Sequence, residues 1–130
     1  MTSRPDVLVV EDDVDLSTLM EMVLVDAGFA VRRAGDGLEA LERVEAGMPG
    51  LILLDMRMPR MNGWEFAREF RRRWAHGAPI LVITAAENAK ARAAEVGADG
   101  WLEKPFDLDD VIEAVSRFVH PAPAPPAPGI

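Results

Sequence analysis

Five side chains that could take part in phosphoryl chemistry stand directly after strand candidates in this sequence. They comprise three carboxylates, a hydroxyl group and an amine: Glu11, Asp12, Asp55, Thr84 and Lys104. In open α/β sheets, ligands and reacting groups gather at the carboxyl ends of the strands. The sequence therefore predicts that the five groups lie together along one edge of a single sheet.

Three carboxylates held close together repel one another unless one is protonated or a cation binds among them. Mg²⁺ suits such a site, because it prefers oxygen ligands and retains several waters. Asp55 could then attack the phosphorus of a donor and become an acyl phosphate. Thr84 could hydrogen-bond one phosphoryl oxygen, and Lys104 could neutralise another. This chemistry predicts a Mg²⁺-dependent phosphoryl acceptor.

Length, composition and charge indicate the class of protein. The 130 residues suffice for one domain, and 49% hydrophobic with 28% charged residues is typical of a soluble globule. The net charge of −8 argues against direct binding to nucleic acid or to an anionic membrane. The absence of cysteine excludes disulfides and cysteine-based zinc sites. There is no hydrophobic signal segment and no apolar run near the roughly 18 residues of a membrane span, so a cytoplasmic location is expected.

The hydrophobic pattern alternates between strand and helix five times, which predicts an α/β fold. Strand candidates are about 6–10, 29–33, 51–54, 79–83 and 100–103. Each is followed by a helical stretch whose apolar residues recur at helical spacing. The residues predicted to face the sheet are Leu16, Leu19, Met20, Val23, Leu24 and Ala27, then Leu38, Leu41 and Val44, then Trp64, Ala67, Phe70 and Trp74, then Ala89, Ala93 and Val96, and last Leu108, Val111, Ile112, Val115 and Val119.

Polar and small residues mark the predicted ends of these helices. Asp36 and Asp107 can cap the second and fifth helices. Gly28, Gly47 and Gly97 can end the first, second and fourth.

The final ten residues are mostly proline and alanine, which cannot form a helix or a central strand. This composition favours an extended, semi-rigid segment. We therefore expect one domain over residues 1–120, followed at 121–130 by a flexible tail or by the stub of a linker.

Taken together, these segments make the chain resemble the receiver domains of two-component response regulators over about residues 6–119. The matching segments, in order, are Glu-Asp-Asp at 11–13, the stretch 53–63 around Asp55, Thr84-Ala85, and 97–106 with its Lys-Pro pair. The resemblance implies a doubly wound, flavodoxin-like fold with a five-stranded parallel sheet in the order 2-1-3-4-5 and helices on both faces. It also implies a role in phosphorelay signal transduction, here as a single-domain receiver.

The same resemblance implies the metal ligands. Asp12, Asp55 and the backbone carbonyl of Arg57 would bind Mg²⁺ directly, and Glu11 would act through water. Asp13 falls outside the acidic pair and is expected to cap the first helix.

The resemblance further implies a switch and its partners. A histidine kinase or histidine phosphotransfer protein would supply the phosphoryl group, and the receiver would catalyse its own phosphorylation and dephosphorylation without being a turnover enzyme. Thr84 and the aromatic position, here Trp101, would then change binding to a downstream protein target. Lys104-Pro105 would be a cis peptide. Trp101 departs from the family's usual Tyr or Phe, and Arg57 and Ala86 occupy positions where the family varies the side chains that tune phosphate lifetime.

Four alternative functions remain open at this point. A flavodoxin-like electron carrier has this topology, but acids after the first strand would repel its cofactor phosphate. A phosphatase of the haloacid dehalogenase class needs a second Asp where this chain has Arg57. A degenerate receiver would act only as a protein-binding module. The chain could also be the receiver part of a truncated regulator with a DNA-binding or enzymatic output domain.

Overall fold

Strands and helices alternate throughout residues 6–85 and 88–120, which are the residues that the computed structural model describes. The five strands in this part of the chain are Asp6–Val10 (β1), Ala30–Ala34 (β2), Leu51–Asp55 (β3), Ile80–Ala85 (β4) and Gly100–Lys104 (β5). The five helices are Val14–Asp26 (α1), Gly37–Ala46 (α2), Gly63–Arg73 (α3), Ala89–Glu95 (α4) and Leu108–Ser116 (α5). Each predicted strand is present, with its ends displaced by no more than one or two residues.

The strands form one parallel sheet in the order β2-β1-β3-β4-β5. This order confirms the predicted doubly wound α/β fold. β3 is buried along its whole length, because helices cover both faces of the sheet. All five strands are parallel, so their carboxyl ends lie at one edge, where β1, β3, β4 and β5 bring the predicted site residues.

The core has two parts, one on each face of the sheet. Leu8 and Val10 pack with residues of α2, α3 and α4, whereas Val7 and Val9 pack with residues of α1 and α5. This division follows from the alternation of side chains along β1, which sends successive residues to opposite faces. The site at the carboxyl edge is therefore supported by packed apolar layers on both sides.

Three of the leucines predicted to face the sheet are exposed instead: Leu19, Leu38 and Leu108. In α1, the buried residues are Ser17, Met20 and Leu24. Helical spacing places these three on one stripe and turns Leu19 away from it. Phe66 was missed, although it is fully buried and stacks on Phe70 with ring centroids 5.6 Å apart.

The predicted helix ends are confirmed at several positions. The Asp13 carboxylate accepts a hydrogen bond from the Leu16 N–H at the start of α1, and Asp36 does the same for the Glu39 N–H at the start of α2. Asp107 is the cap residue of α5. Gly97 follows α4 with φ of +63°, a backbone conformation that glycine adopts without steric cost.

Two arginines tie the edge strand β2 to helix α2. The Arg32 guanidinium donates to the carbonyl oxygens of Arg43 and Gly47, each at 2.7 Å. The Arg43 guanidinium donates in the other direction, to the Arg33 carbonyl oxygen at 3.1 Å.

Among the described residues, no helix is both long enough and apolar enough to cross a membrane. The predicted tail at 121–130 lies outside the described residues.

Candidate functional site

Three carboxylates meet where β1 and β3 end. Glu11 and Asp12 follow β1, and Asp55 is the last residue of the neighbouring strand β3. Glu11 and Asp55 are buried, at 2% and 5% exposure, whereas Asp12 is exposed. One carboxylate oxygen from each of the three lies within 4.8 Å of the other two. The structure thus brings together the acids that the sequence predicted.

Lys104 reaches this acid group from the end of β5. Its Nζ lies 2.6 Å from Glu11 Oε1 and 3.8 Å from Asp55 Oδ1. Burial alone would lower the pKa of Lys104, but its hydrogen bond to Glu11 and the charges of Asp55, Glu11 and Asp12 raise it above the ordinary value. Lys104 therefore stays protonated at neutral pH and supplies a positive charge beside Asp55. The peptide bond from Lys104 to Pro105 is cis, as predicted.

Asp55 is held in an environment that disfavours its negative charge. Burial is the largest cause, followed by the charge of Glu11 and a hydrogen bond with its side chain. Lys104 and the backbone N–H of Arg57 oppose this effect, and the pKa of Asp55 is about 7. A divalent cation would supply the positive charge that three clustered carboxylates lack. The all-oxygen donor set therefore fits a hard cation such as Mg²⁺.

Thr84 lies on the strand next to Asp55. The β3–β4 register pairs Asp55 with Ile83, so Thr84 is one residue further along β4 towards the carboxyl edge. Thr84 is buried, at 4% exposure, whereas Trp101 on β5 is 45% exposed. Trp101 pairs in register with Val82, two residues before Thr84. The structure thus places the predicted switch residues on adjacent strands, one buried and one at the surface.

The segment after β3 folds back against the end of that strand. The Arg57 N–H donates to Asp55 Oδ1 at 3.4 Å, and the Gly63 N–H donates to the Met56 carbonyl oxygen at 3.0 Å. A Cβ atom on Gly63 would lie only 2.7 Å from Met56 Cα, so this close approach requires glycine. Arg57 keeps its backbone beside Asp55 while its side chain is exposed.

Two contacts of the site were missed by the sequence analysis. Glu11 and Lys104 were predicted to bind metal and phosphate separately, but their side chains form an ion pair with each other. Asp36 was predicted only as a helix cap, yet it also binds the guanidinium of Arg60 in the segment after β3. Neither pair has a signal in the sequence, because the partners are 93 and 24 residues apart.

Comparisons with a family model, with curated proteins and with solved structures all identify the same family. The response regulator receiver domain family matches residues 7–116. The chain is 35% identical over 129 residues to the response regulator MprA of Mycobacterium sp. (strain KMS), covering 95% of this chain and 56% of that protein. It is 38% identical over 116 residues to MprA of Mycobacterium ulcerans, covering 88% of this chain and 50% of that protein. The chain therefore spans about half the length of these curated relatives.

Solved structures agree with this result. A putative response regulator from Chloroflexus aurantiacus superimposes with a TM-score of 0.81 at 31% identity, covering 89% of this chain and 98% of that one. The chemotaxis protein CheY4 of Vibrio cholerae also gives a TM-score of 0.81, at 32% identity, covering 90% of this chain and 100% of that one. Because the family match extends over nearly the whole sheet, and these relatives share both fold and sequence, the chain belongs to the response regulator receiver domains of two-component signalling.

Proposed function

We propose that this receiver accepts a phosphoryl group on Asp55 in the presence of Mg²⁺, and that the phosphorylated form binds a downstream protein differently. The proposal rests on one observation: three carboxylates meet within 4.8 Å at the sheet edge, with the Lys104 amine beside two of them. The repulsion among these carboxylates favours binding of a cation. One of them, Asp55, is buried and has a raised pKa, as acidic groups at functional sites often do.

Asp12, Asp55 and the backbone carbonyl of Arg57 are the proposed direct ligands of Mg²⁺, with Glu11 acting through water. When bound, the ion neutralises charge on the acids and on the phosphoryl oxygens of the donor. An Asp55 carboxylate oxygen forms the new bond to phosphorus as the bond from phosphorus to the donor breaks, and the donor leaves with the bonding electrons. Asp55 attacks as the ionised carboxylate, so the proton that its raised pKa favours in the metal-free protein is released to water beforehand.

Lys104 and Thr84 are proposed to bind the transferred group. The Lys104 Nζ, 3.8 Å from Asp55 Oδ1, is close enough to contact an oxygen of a phosphoryl group attached there. Thr84, one strand away, offers a buried hydroxyl as a hydrogen-bond donor to another oxygen. Both residues would thus stabilise phosphorylated Asp55 more than the free carboxylate.

The proposed donor is a histidine kinase or a histidine phosphotransfer protein, and the proposed output is contact with a protein target. The net charge of −8 makes direct binding of nucleic acid by this domain unfavourable. Membership of the receiver family supports the choice of donor. A cytoplasmic location is part of the same proposal.

The proposed function can be tested by intact-mass measurement of wild-type protein incubated with acetyl phosphate. With Mg²⁺, the chain should gain one phosphoryl group, and hydroxylamine should remove it because an acyl phosphate is labile to strong nucleophiles. With EDTA in place of Mg²⁺, labelling should fall to background. Labelling that does not depend on Mg²⁺ would contradict the proposal, and turnover of a generic phosphate ester would instead favour a phosphatase.

Replacing Asp12 should weaken the metal site. Asp12→Ala is expected to reduce Mg²⁺ affinity at least about 10-fold, because it removes one carboxylate ligand. Isothermal calorimetry measures this directly. Asp15→Ala is the matched control, since Asp15 is also exposed and lies only three residues further along the chain. Equal Mg²⁺ affinity in wild type and Asp12→Ala would remove Asp12 from the site.

Replacing Thr84 should separate phosphorylation from switching. Thr84→Ala is expected to retain most phosphorylation but to reduce the response at Trp101, because the hydroxyl that would follow the phosphoryl group is lost. A beryllofluoride titration followed by NMR reports both effects. Thr18→Ala, on α1, is the control and should respond like wild type. If wild-type shifts remain confined to the loops around Asp55 and never reach residues 88–106, the switching proposal fails.

A further inference from the structure

The start of α2 is attached to the segment that follows Asp55. Residues 56–62 connect β3 to α3, and we call them the β3–α3 loop. Asp36, the cap of α2, is buried at 6% exposure and uses both of its carboxylate oxygens. Oδ1 accepts from the Glu39 N–H at 2.9 Å, and Oδ2 accepts from Arg60 Nε at 2.6 Å and forms an ion pair with Arg60 Nη2 at 2.5 Å. One carboxylate thus holds both the helix and the loop.

Arg60 adopts a backbone conformation that residues other than glycine rarely adopt. Its φ is +62°, in the left-handed region that glycine enters freely and that other residues enter at a cost. Burial alone would raise the pKa of Asp36, but the Glu39 N–H and the Arg60 guanidinium lower it below its ordinary value. The ion pair with Asp36 therefore helps to stabilise the left-handed turn at Arg60.

A second contact fixes the loop at the next residue. The Gly37 N–H donates to the Met61 carbonyl oxygen at 3.0 Å. A Cβ atom on Gly37 would lie 2.6 Å from Met61 Cγ and 2.8 Å from that oxygen, so only glycine permits this approach. The consecutive residues Asp36 and Gly37 thus bind the consecutive residues Arg60 and Met61.

This attachment acts on the metal site through a short stretch of chain. Arg57 precedes Arg60 by three residues, and its N–H is bonded to Asp55 Oδ1 at 3.4 Å. A loop that is fixed at Arg60 and begins at the end of β3 leaves the intervening backbone little freedom. The turn at Arg60 therefore restrains the short stretch of backbone that includes Arg57.

We propose that Asp36 and Arg60 are positioning residues of the metal site: by holding the left-handed turn, they keep the Arg57 backbone where its carbonyl can join the carboxylates around Mg²⁺. The inference rests on the proposed function, since it takes Arg57 as a ligand. Neither residue is among the proposed ligands of the metal or of the phosphoryl group.

The test compares two substitutions of one residue by Mg²⁺ calorimetry. Arg60→Ala loses the ion pair and keeps the steric cost of the turn, so Mg²⁺ affinity should fall about 5-fold, which corresponds to about 1 kcal/mol. Arg60→Gly also loses the ion pair but adopts the turn freely, so most of the affinity should return. A purely structural surface pair would not produce this rescue. Arg117→Ala, which breaks an exposed pair with Glu113 on α5, is the matched control and should bind Mg²⁺ like wild type.

Asp36→Asn gives an independent measurement. Asparagine caps helices about as well as aspartate, so the fold should survive while the charge that holds Arg60 is lost. Mg²⁺ affinity should fall as in Arg60→Ala, and phosphorylation by acetyl phosphate should return to the wild-type rate at saturating Mg²⁺. Three results would each overturn the proposal. They are wild-type Mg²⁺ affinity in both Asp36→Asn and Arg60→Ala, equally weak Mg²⁺ binding by Arg60→Gly and Arg60→Ala, and a phosphorylation rate of Asp36→Asn that stays low at saturating Mg²⁺.

Failure of this inference can be told apart from failure of the proposed function. If wild-type protein binds Mg²⁺, and Asp12→Ala weakens this binding while Arg60→Ala leaves the affinity unchanged, only the positioning role is wrong. If wild-type protein does not bind Mg²⁺ at all, the proposed function itself fails.

Discussion

The Asp55→Asn variant is expected to lose phosphoryl labelling by acetyl phosphate by more than about 100-fold, because an amide is a poor nucleophile. The substitution preserves the size of the side chain, so the buried end of β3 should remain packed. It also removes one of the three clustered negative charges. Intact-mass measurement in the presence of Mg²⁺ gives the labelled fraction.

Asp109→Asn is the matched control for this prediction. Asp109 is an exposed residue of α5, and its replacement makes the same chemical change away from the sheet edge. It should be labelled like wild type. Undiminished labelling of Asp55→Asn would overturn the assignment of the phosphoacceptor, whatever the behaviour of the other variants.

The same substitution should stabilise the metal-free protein, and the gain should depend on pH. Burial, followed by the charge and hydrogen bond of Glu11, raises the pKa of Asp55 to about 7 from an ordinary value of 3.8. Between these values the folded state holds a proton that the unfolded state releases, so the free energy of unfolding of wild type falls as pH rises. Asparagine has no such dependence. Asp55→Asn should gain about 1–3 kcal/mol above about pH 7 and nothing below about pH 4.

Urea unfolding in EDTA across this pH range measures the difference. Glu113→Gln, at an exposed carboxylate on α5, should show no comparable gain. Adding Mg²⁺ should narrow the difference, because an ion that binds the folded wild type stabilises it. If the difference in free energy of unfolding is constant with pH, or if Asp55→Asn is less stable than wild type at pH 8, the negative charge of Asp55 does not destabilise the folded protein.

The strands and the acid group could be predicted from the sequence because both depend on short-range patterns. A strand such as β3, buried on both faces, is a continuous apolar run, and parallel strands bring their carboxyl ends together. Placing Asp55 after that run was therefore enough to place it at the same edge of the sheet as Glu11 and Asp12. The order of the strands came from the family resemblance, since the pattern alone allows several orders.

The helix faces were harder to predict, because apolar residues also occur on exposed surfaces. Leu19 and Leu38 are apolar and lie near the predicted stripes, yet Ser17 and Gly37 occupy the buried positions instead. A small residue fits where a helix approaches the sheet or a loop closely, and hydrophobicity does not detect that.

The specific partners in long-range pairs of charged side chains could not be predicted. The pairing of Asp36 with Arg60 requires the left-handed turn at Arg60, and the pairing of Lys104 with Glu11 crosses the ends of β3 and β4. On sequence grounds Lys104 could have paired with any of the three acids predicted at its sheet edge, and Arg60 with any acid of the chain. Both ion pairs form only in the folded protein. They also affect the site, because one places a positive charge among its acids and the other holds the loop that follows Asp55.

The contact between Arg43 of α2 and the edge strand β2 has a consequence for self-association. The Glu11 N–H binds the Ala34 carbonyl, which therefore faces β1, so the preceding Arg33 carbonyl faces the free edge of the sheet. An unpaired edge of this kind is a template for strand addition and aggregation. The Arg43 guanidinium already occupies that outward carbonyl. A second copy of the chain could extend the sheet at this point only by displacing a charged group that Glu39 also holds, at 2.9 Å.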